Sequence, residues 1–92
     1  MDKKRVLSAC SQDVAFYLCT GRYVNTLHQL AMSISVLSPP AFVYHVNAQK
    51  NDFAKWAQDV FGDDELARRL ERTKEKDATV DTILNRLREI SS

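Results

Sequence analysis

From Thr26 onward, apolar residues recur at three- and four-residue intervals, the period of an amphipathic helix. Leu27, Leu30, Ile34 and Leu37 form one stripe, and Thr26 with Gln29 fits a capping box at its start. Ser38-Pro39-Pro40 closes this helix and opens a short one, because proline lacks the N–H that a first turn leaves unpaired. Leu37 and Phe42 then flank Ser38 as a hydrophobic staple. The run AFVYHV is also rich in strand formers, but the double proline favours a helix. Phe53, Trp56, Ala57, Val60 and Phe61 give the clearest amphipathic pattern, with Asn51 or Asp52 as cap and Gly62 as terminator. Asp63 caps the next helix. Asp64 and Glu65 fill its first turn and Arg68, Arg69 and Arg72 its later part, which suits the macrodipole. Leu66 and Leu70 form its apolar face. Asp77 is read as the cap of a last helix striped by Val80, Ile83, Leu84, Leu87 and Ile90.

Upstream the pattern changes. In residues 14–24, aromatic and β-branched residues flank Thr20-Gly21, which reads as a short β-hairpin. A helix from Ser11 ending on Gly21 is the alternative. Residues 1–12 are polar and expected to be loosely ordered. The fold class is therefore mainly α (α+β): a compact bundle of four to five helices over 26–90 behind an N-terminal hairpin. The expected core is Phe16, Leu18, Leu27, Leu30, Ile34, Leu37, Phe42, Val46, Phe53, Trp56, Val60, Phe61, Leu66, Leu70, Val80, Ile83, Leu84 and Leu87, centred on the indole.

Ninety-two residues suit a single domain spanning 1–92. The net charge of +1 argues against a protein that coats nucleic acid. No apolar run approaches the roughly 18 residues that span a bilayer, and the basic N-terminus lacks the apolar segment of a signal peptide. A cytoplasmic protein with no membrane association is expected. Cys10 and Cys19 read as free thiols, since their spacing is not that of a metal knuckle. No metal, cofactor or small-molecule substrate is expected.

The block YHVN (Tyr44 to Asn47), NDFAKW (Asn51 to Trp56) and VFGDDELARRL (Val60 to Leu70) resembles a small uncharacterised family, largely archaeal and described only as a domain of unknown function. The stretch from Phe16 to Ile34 resembles that family's opening, a short strand pair with a central glycine before a leucine-striped helix. The likeness covers Phe16 to Leu70 and leaves out the last helix. It implies the hairpin and supplies no activity.

Four groups of residues bear on chemistry. His45, Asn51, Asp52 and Trp56 lie close in sequence, and a His–Asp pair can serve as a base and its orienter. The structural reading is stronger: one of Asn51 and Asp52 is needed as a cap, and a buried histidine needs one partner. With Gly62 and Asp63 these residues form a structural motif, and no nucleophile motif accompanies them. Asp63, Asp64 and Glu65 lack the spacing of a calcium loop. Arg68, Arg69, Arg72, Lys74 and Lys76 form the densest basic run, joined by Arg86 and Arg88 if the last helix folds back. The helix–Gly–helix unit from Asn51 to Arg72 superficially matches a helix-turn-helix, but acids stand where base-reading residues belong. Tyr17, Tyr23 and Tyr44 are expected to cover the edge of the core, an outward recognition surface being the alternative.

The last helix carries five large apolar residues in eleven positions, which either pack within the chain or offer a docking surface. The sequence therefore points to a non-enzymatic protein-interaction module. It would dock a partner, or a second copy as a homodimer, through Ile83, Leu87 and the neighbouring Arg68, Arg69, Arg72, Lys74 and Arg86. A small nucleic-acid-binding protein using the same basic face is the alternative.

Overall fold

Each central helix begins on the side-chain cap that its sequence announces. The computed structural model describes residues 2–91. The Thr26 hydroxyl accepts from the Gln29 amide at 2.9 Å and starts α2, Leu27–Ser35. In return the Gln29 side chain accepts from Asn25 N–H, one residue before the position the box predicts. Ser38 caps α3, Pro39–His45. Asn51 caps α4, Asp52–Phe61, which ends on Gly62 at φ 68°. Asp63 caps α5, Asp64–Glu71. Asn51 caps two helices at once: its Oδ1 accepts from Ala54 N–H and its Nδ2 donates to the last-turn carbonyl of Leu70 at 2.8 Å.

The last helix, α6, runs Lys76–Ser91. Asp77 stands in its first turn rather than at the cap expected of it. The Thr79 hydroxyl, fully buried, instead bonds back to Glu75 O at 2.7 Å. Lys76 Nζ donates across to the carbonyl of Leu37, just beyond the end of α2, at 3.1 Å.

The hairpin is present and small. β1, Phe16–Tyr17, pairs antiparallel with β2, Tyr23–Val24, in the register Phe16↔Val24 and Tyr17↔Tyr23. Its turn closes through Gly21 N–H to Leu18 O and Leu18 N–H to Arg22 O, with Gly21 at φ 97°. That backbone is open to glycine at little cost.

Residues before the hairpin are more ordered than the polar sequence suggests. Lys3–Leu7 forms a helix, α1, capped by Asp2, and Gln12–Val14 a single 3-10 turn. Two contacts hold α1. Val6 is buried in the core, and Arg5 Nε donates to Val60 O at 2.9 Å. The guanidinium thereby satisfies a carbonyl at the C-terminal end of α4, where the helix dipole favours a cation.

α6 lies along α2 and α5, α1 packs on α6, and α4 packs on α5. Fifteen of the expected core residues are buried. Val60, Leu84 and Leu87 are only partly so and pack against the core from its rim. Val6, Val24, Ala31, Ala54, Ala57, Ala67 and Ile90 complete the interior. The indole of Trp56 is buried but sits at the margin: it meets Phe16 at 5.6 Å and Phe61 at 4.9 Å, both edge-on, and lines a surface groove. The centre belongs instead to Leu30, Ile34, Phe53, Leu66, Leu70 and Ile83, none of which is exposed at all.

Gly62 occupies the left-handed region, and Asp63 N–H closes the end of α4 on Ala57 O. A Cβ there would stand 3.3 Å from Arg5 Nη1. Gly62→Ala is expected to lower stability by about 1–2 kcal/mol, read as a shifted urea midpoint at unchanged m.

Candidate functional site

The histidine cluster comes together as a closed structural device. His45, 3% exposed, ends α3 and sits against the rings of Phe16, Phe53 and Tyr44 at 5.0–5.2 Å. The backbone N–H of Cys19 in the hairpin turn donates to His45 Nε2 at 3.1 Å. That nitrogen therefore carries no proton, and Nδ1–H donates to Asp52 Oδ2 at 3.0 Å. Lys50 Nζ holds the same carboxylate oxygen at 2.9 Å. Asn51 provides the cap, which leaves Asp52 free for this role. Both imidazole nitrogens are engaged within the fold, so the ring ties hairpin, α3 and α4 together and offers no lone pair to a substrate. Trp56 adds a second tie, donating from Nε1 to Val14 O at 2.8 Å. The Cys10 thiol is pushed above its ordinary pKa, mainly by burial, which disfavours the reactive thiolate.

Part of the basic run is neutralised. Glu65 receives Arg68 and, at 2.9 Å, Arg69 Nε, while Arg69 Nη1 reaches Glu89 at 2.8 Å. α6 does fold back beside α5, but it brings Arg86 to Asp63 rather than to the surface. Nε and Nη2 grip the two carboxylate oxygens at 2.9 and 3.0 Å, beneath the cap that Asp63 gives to α5. Arg69 and Arg86 are held above the ordinary arginine range, by the Glu89 bond first and the Asp63 bond first respectively. Among the described residues, Arg72, Lys74, Lys76 and Arg88 make no ion pair; Lys76 donates to a backbone carbonyl and Arg88 to the Asn85 amide oxygen. The groove at Lys74, about 480 Å³, alternates Lys50, Lys55 and Lys74 with Asp52, Asp59 and Glu71.

The bond from Arg69 holds both Glu65 and Glu89 below the usual carboxylate range. A carboxylate whose pKa is depressed on folding adds stability that is complete above its unfolded pKa, about 4.3. That contribution fades as pH falls through the folded value. Melting temperature is therefore expected to drop below about pH 4.3, with a shallower slope for Glu89→Gln. Both carboxylates are solvent-exposed, so added salt should flatten the difference.

The apolar stripe of the last helix is covered from within. Ile83 is fully buried and Leu87 is partly buried at the rim of the core. Ile83 therefore presents nothing to a partner, contrary to the docking role expected of it. Every exposed large hydrophobic residue among those described lies in the other half of the chain: Leu7, Val14, Tyr17, Tyr23, Met32, Val36, Val43 and Tyr44.

Five of these eight form a continuous face. Tyr44 and Tyr17, 59% and 56% exposed, line one groove of about 380 Å³. The Tyr17 and Tyr23 rings touch across the strands at 4.8 Å. Tyr23, 58% exposed, then lines the adjoining depression with Met32 and Val36. The tyrosines do not cover the core edge as expected; strand alternation points Tyr17 and Tyr23 outward while Phe16 and Val24 point in, and Tyr44 stands exposed on α3. The signal for this face was legible in the charge pattern. Between Val14 and Gln49 the chain holds one charged residue, Arg22, while the other 24 of its 25 charges (13 basic plus 12 acidic) lie outside.

Among the described residues no helix is long and apolar enough to cross a membrane. Compared with protein-family models, curated proteins and solved structures, the chain matches none.

Proposed function

We propose that this chain is a non-enzymatic protein-interaction module whose docking surface is the tyrosine face, not the last helix. The observation that carries the reading is the run of exposed apolar side chains from Tyr44 through Tyr17 and Tyr23 to Met32 and Val36. Contiguous apolar surface of this kind marks contact sites on small proteins. Tyrosine, methionine and arginine, residue types enriched at interfaces, stand on this face, and Lys50, Asp52, Lys55 and Asp59 line the edge of its Tyr17–Tyr44 groove. Two further observations favour it over the alternatives. His45 has no nitrogen left for acid–base work. The basic surface spends Arg68, Arg69 and Arg86 on carboxylates, which weakens it as a face for displacing counterions from a nucleic acid.

A photo-crosslinking residue placed at Val36 or Tyr44 in cells producing the chain is expected to give discrete protein adducts. The same residue at Arg72 is expected to give none. Adducts at Arg72 alone, or at no position, would overturn the assignment of the face.

A further inference from the structure

We infer that His45 is a pH-operated latch: a second proton on its imidazole breaks the bond to the Cys19 amide, keeps the bond to Asp52, and frees the hairpin turn while the helical core stays closed. The two ring nitrogens face opposite kinds of group. Nε2 accepts from a backbone N–H, that of Cys19, at 3.1 Å, and Nδ1–H donates to a carboxylate, that of Asp52, at 3.0 Å. A protonated imidazole has donors only. At Nδ1 the new charge strengthens the existing bond, because a cation then donates to an anion. At Nε2 it sets N–H against N–H, and that contact ends only when the turn moves away. The proton has a route to the ring. His45 is 3% exposed, yet it lines the groove of Tyr17, Tyr44 and Asp52.

The groups around the ring come from every element packed on it. Asp52 of α4 favours the imidazolium, and Lys50, before α4, opposes it from 2.9 Å off the same carboxylate oxygen. Farther along the groove Lys55 and Asp59 offset each other as an ion pair at 3.2 Å. Tyr44 of α3 stands edge-on at 5.0 Å, and Phe16 and Phe53 supply apolar rings. From the hairpin, Tyr17 lines the groove, the Cys19 thiol donates to the Ala41 carbonyl, and Arg22 lines a different depression. What the latch holds is local. The turn closes on itself through Leu18 N–H to Arg22 O and Gly21 N–H to Leu18 O, and Cys19 between them is tied across to α3. Cys19 to Arg22 are exposed, whereas Phe16, Leu18 and Val24 are buried. Losing the tie therefore loosens the turn without withdrawing the strands. The turn borders the face proposed above, but the latch rests on the histidine geometry alone.

Nitrogen NMR of the full chain tests this, with amide exchange measured from about pH 8 to about pH 5, the range in which imidazoles change charge. At the upper end His45 should show the Nδ1–H tautomer. As both its nitrogens become protonated, the protection factor of the Cys19 amide should fall about tenfold or more, the worth of one lost hydrogen bond. Those of α2 and α6 should hold, since the window lies above the range in which Glu65 and Glu89 titrate. Asp52→Asn keeps an acceptor and removes the charge that favours the imidazolium, so the step should move to lower pH. His28→Gln, at the exposed histidine of α2, should leave the step where it is. An Nε2–H tautomer at the upper end, a ring that stays neutral throughout, or a Cys19 amide indifferent to the titration would each overturn the inference. So would a loss of protection shared equally by α2 and α6. Failure of the crosslinks at Val36 and Tyr44 would remove the docking face and leave the latch intact.

Discussion

Arg86→Met is expected to lower stability by about 3–5 kcal/mol, the usual consequence of leaving a buried charge alone. Asp63 is fully buried, and its two oxygens receive Leu66 N–H and both arms of the Arg86 fork. Methionine fills much of the arginine stem's space but neutralises nothing. The loss would consume much of the roughly 5–15 kcal/mol that holds a small domain together. The double variant Arg86→Met with Asp63→Asn separates charge from shape. Asparagine caps a helix as well as aspartate does and carries no charge. Most of the lost stability should therefore return in the double variant, measured as urea midpoints for the four members of the cycle. If Arg86→Met costs under about 1 kcal/mol, the Asp63 carboxylate is reaching water and the pair is not buried.

Trp56→Ala is expected to cost a similar amount, about 3–5 kcal/mol, through a different route. The indole fills the space between Phe16 and Phe61 and anchors the segment before β1 through the Val14 carbonyl. Its position beside a groove lets water enter the vacated volume, which sets the loss toward the lower end. Trp56→Phe keeps most of the ring and drops the hydrogen bond. It should cost roughly 1–1.5 kcal/mol, the net value of one such bond. Hydrogen exchange separates the two terms: the amides of the hairpin should open in both variants, those of α2 and α6 only in the alanine variant. A hairpin equally protected in all three chains would show that the Val14 tether does not hold it. Two-residue strands cannot persist on their own. The hairpin therefore stands on Trp56 and on His45, whose ring accepts from the Cys19 amide within the turn.

The candidate site divides along the same line as these two tethers. The role of His45 was readable as one hydrogen bond to a nearby carboxylate, and Asp52 supplies it because Asn51 takes the cap. Its second bond, to a turn 26 residues upstream, follows no local rule. Arg86 was readable as a possible neighbour of α5, but its role as the counter-ion of a cap depends on α6 crossing that one turn. The short α1 escaped the sequence because its only buried residue is Val6 and its other anchor, Arg5, looks like ordinary surface charge.

What the sequence determined by itself is α2 to α5 with their caps, the existence of α6 and the hairpin turn. Capping, proline placement, glycine at positive φ and the helical period act between residues a few positions apart, so they are written in neighbouring letters. What only the tertiary structure decided is which apolar residues reach solvent. Ile83 and Leu87 share the apolar stripe of α6, yet the first is fully buried and the second reaches only the rim of the core. Burial goes to whichever set the long-range packing of α2 on α6 can cover, and the tyrosines, with hydroxyls that water satisfies, are the residues left outside.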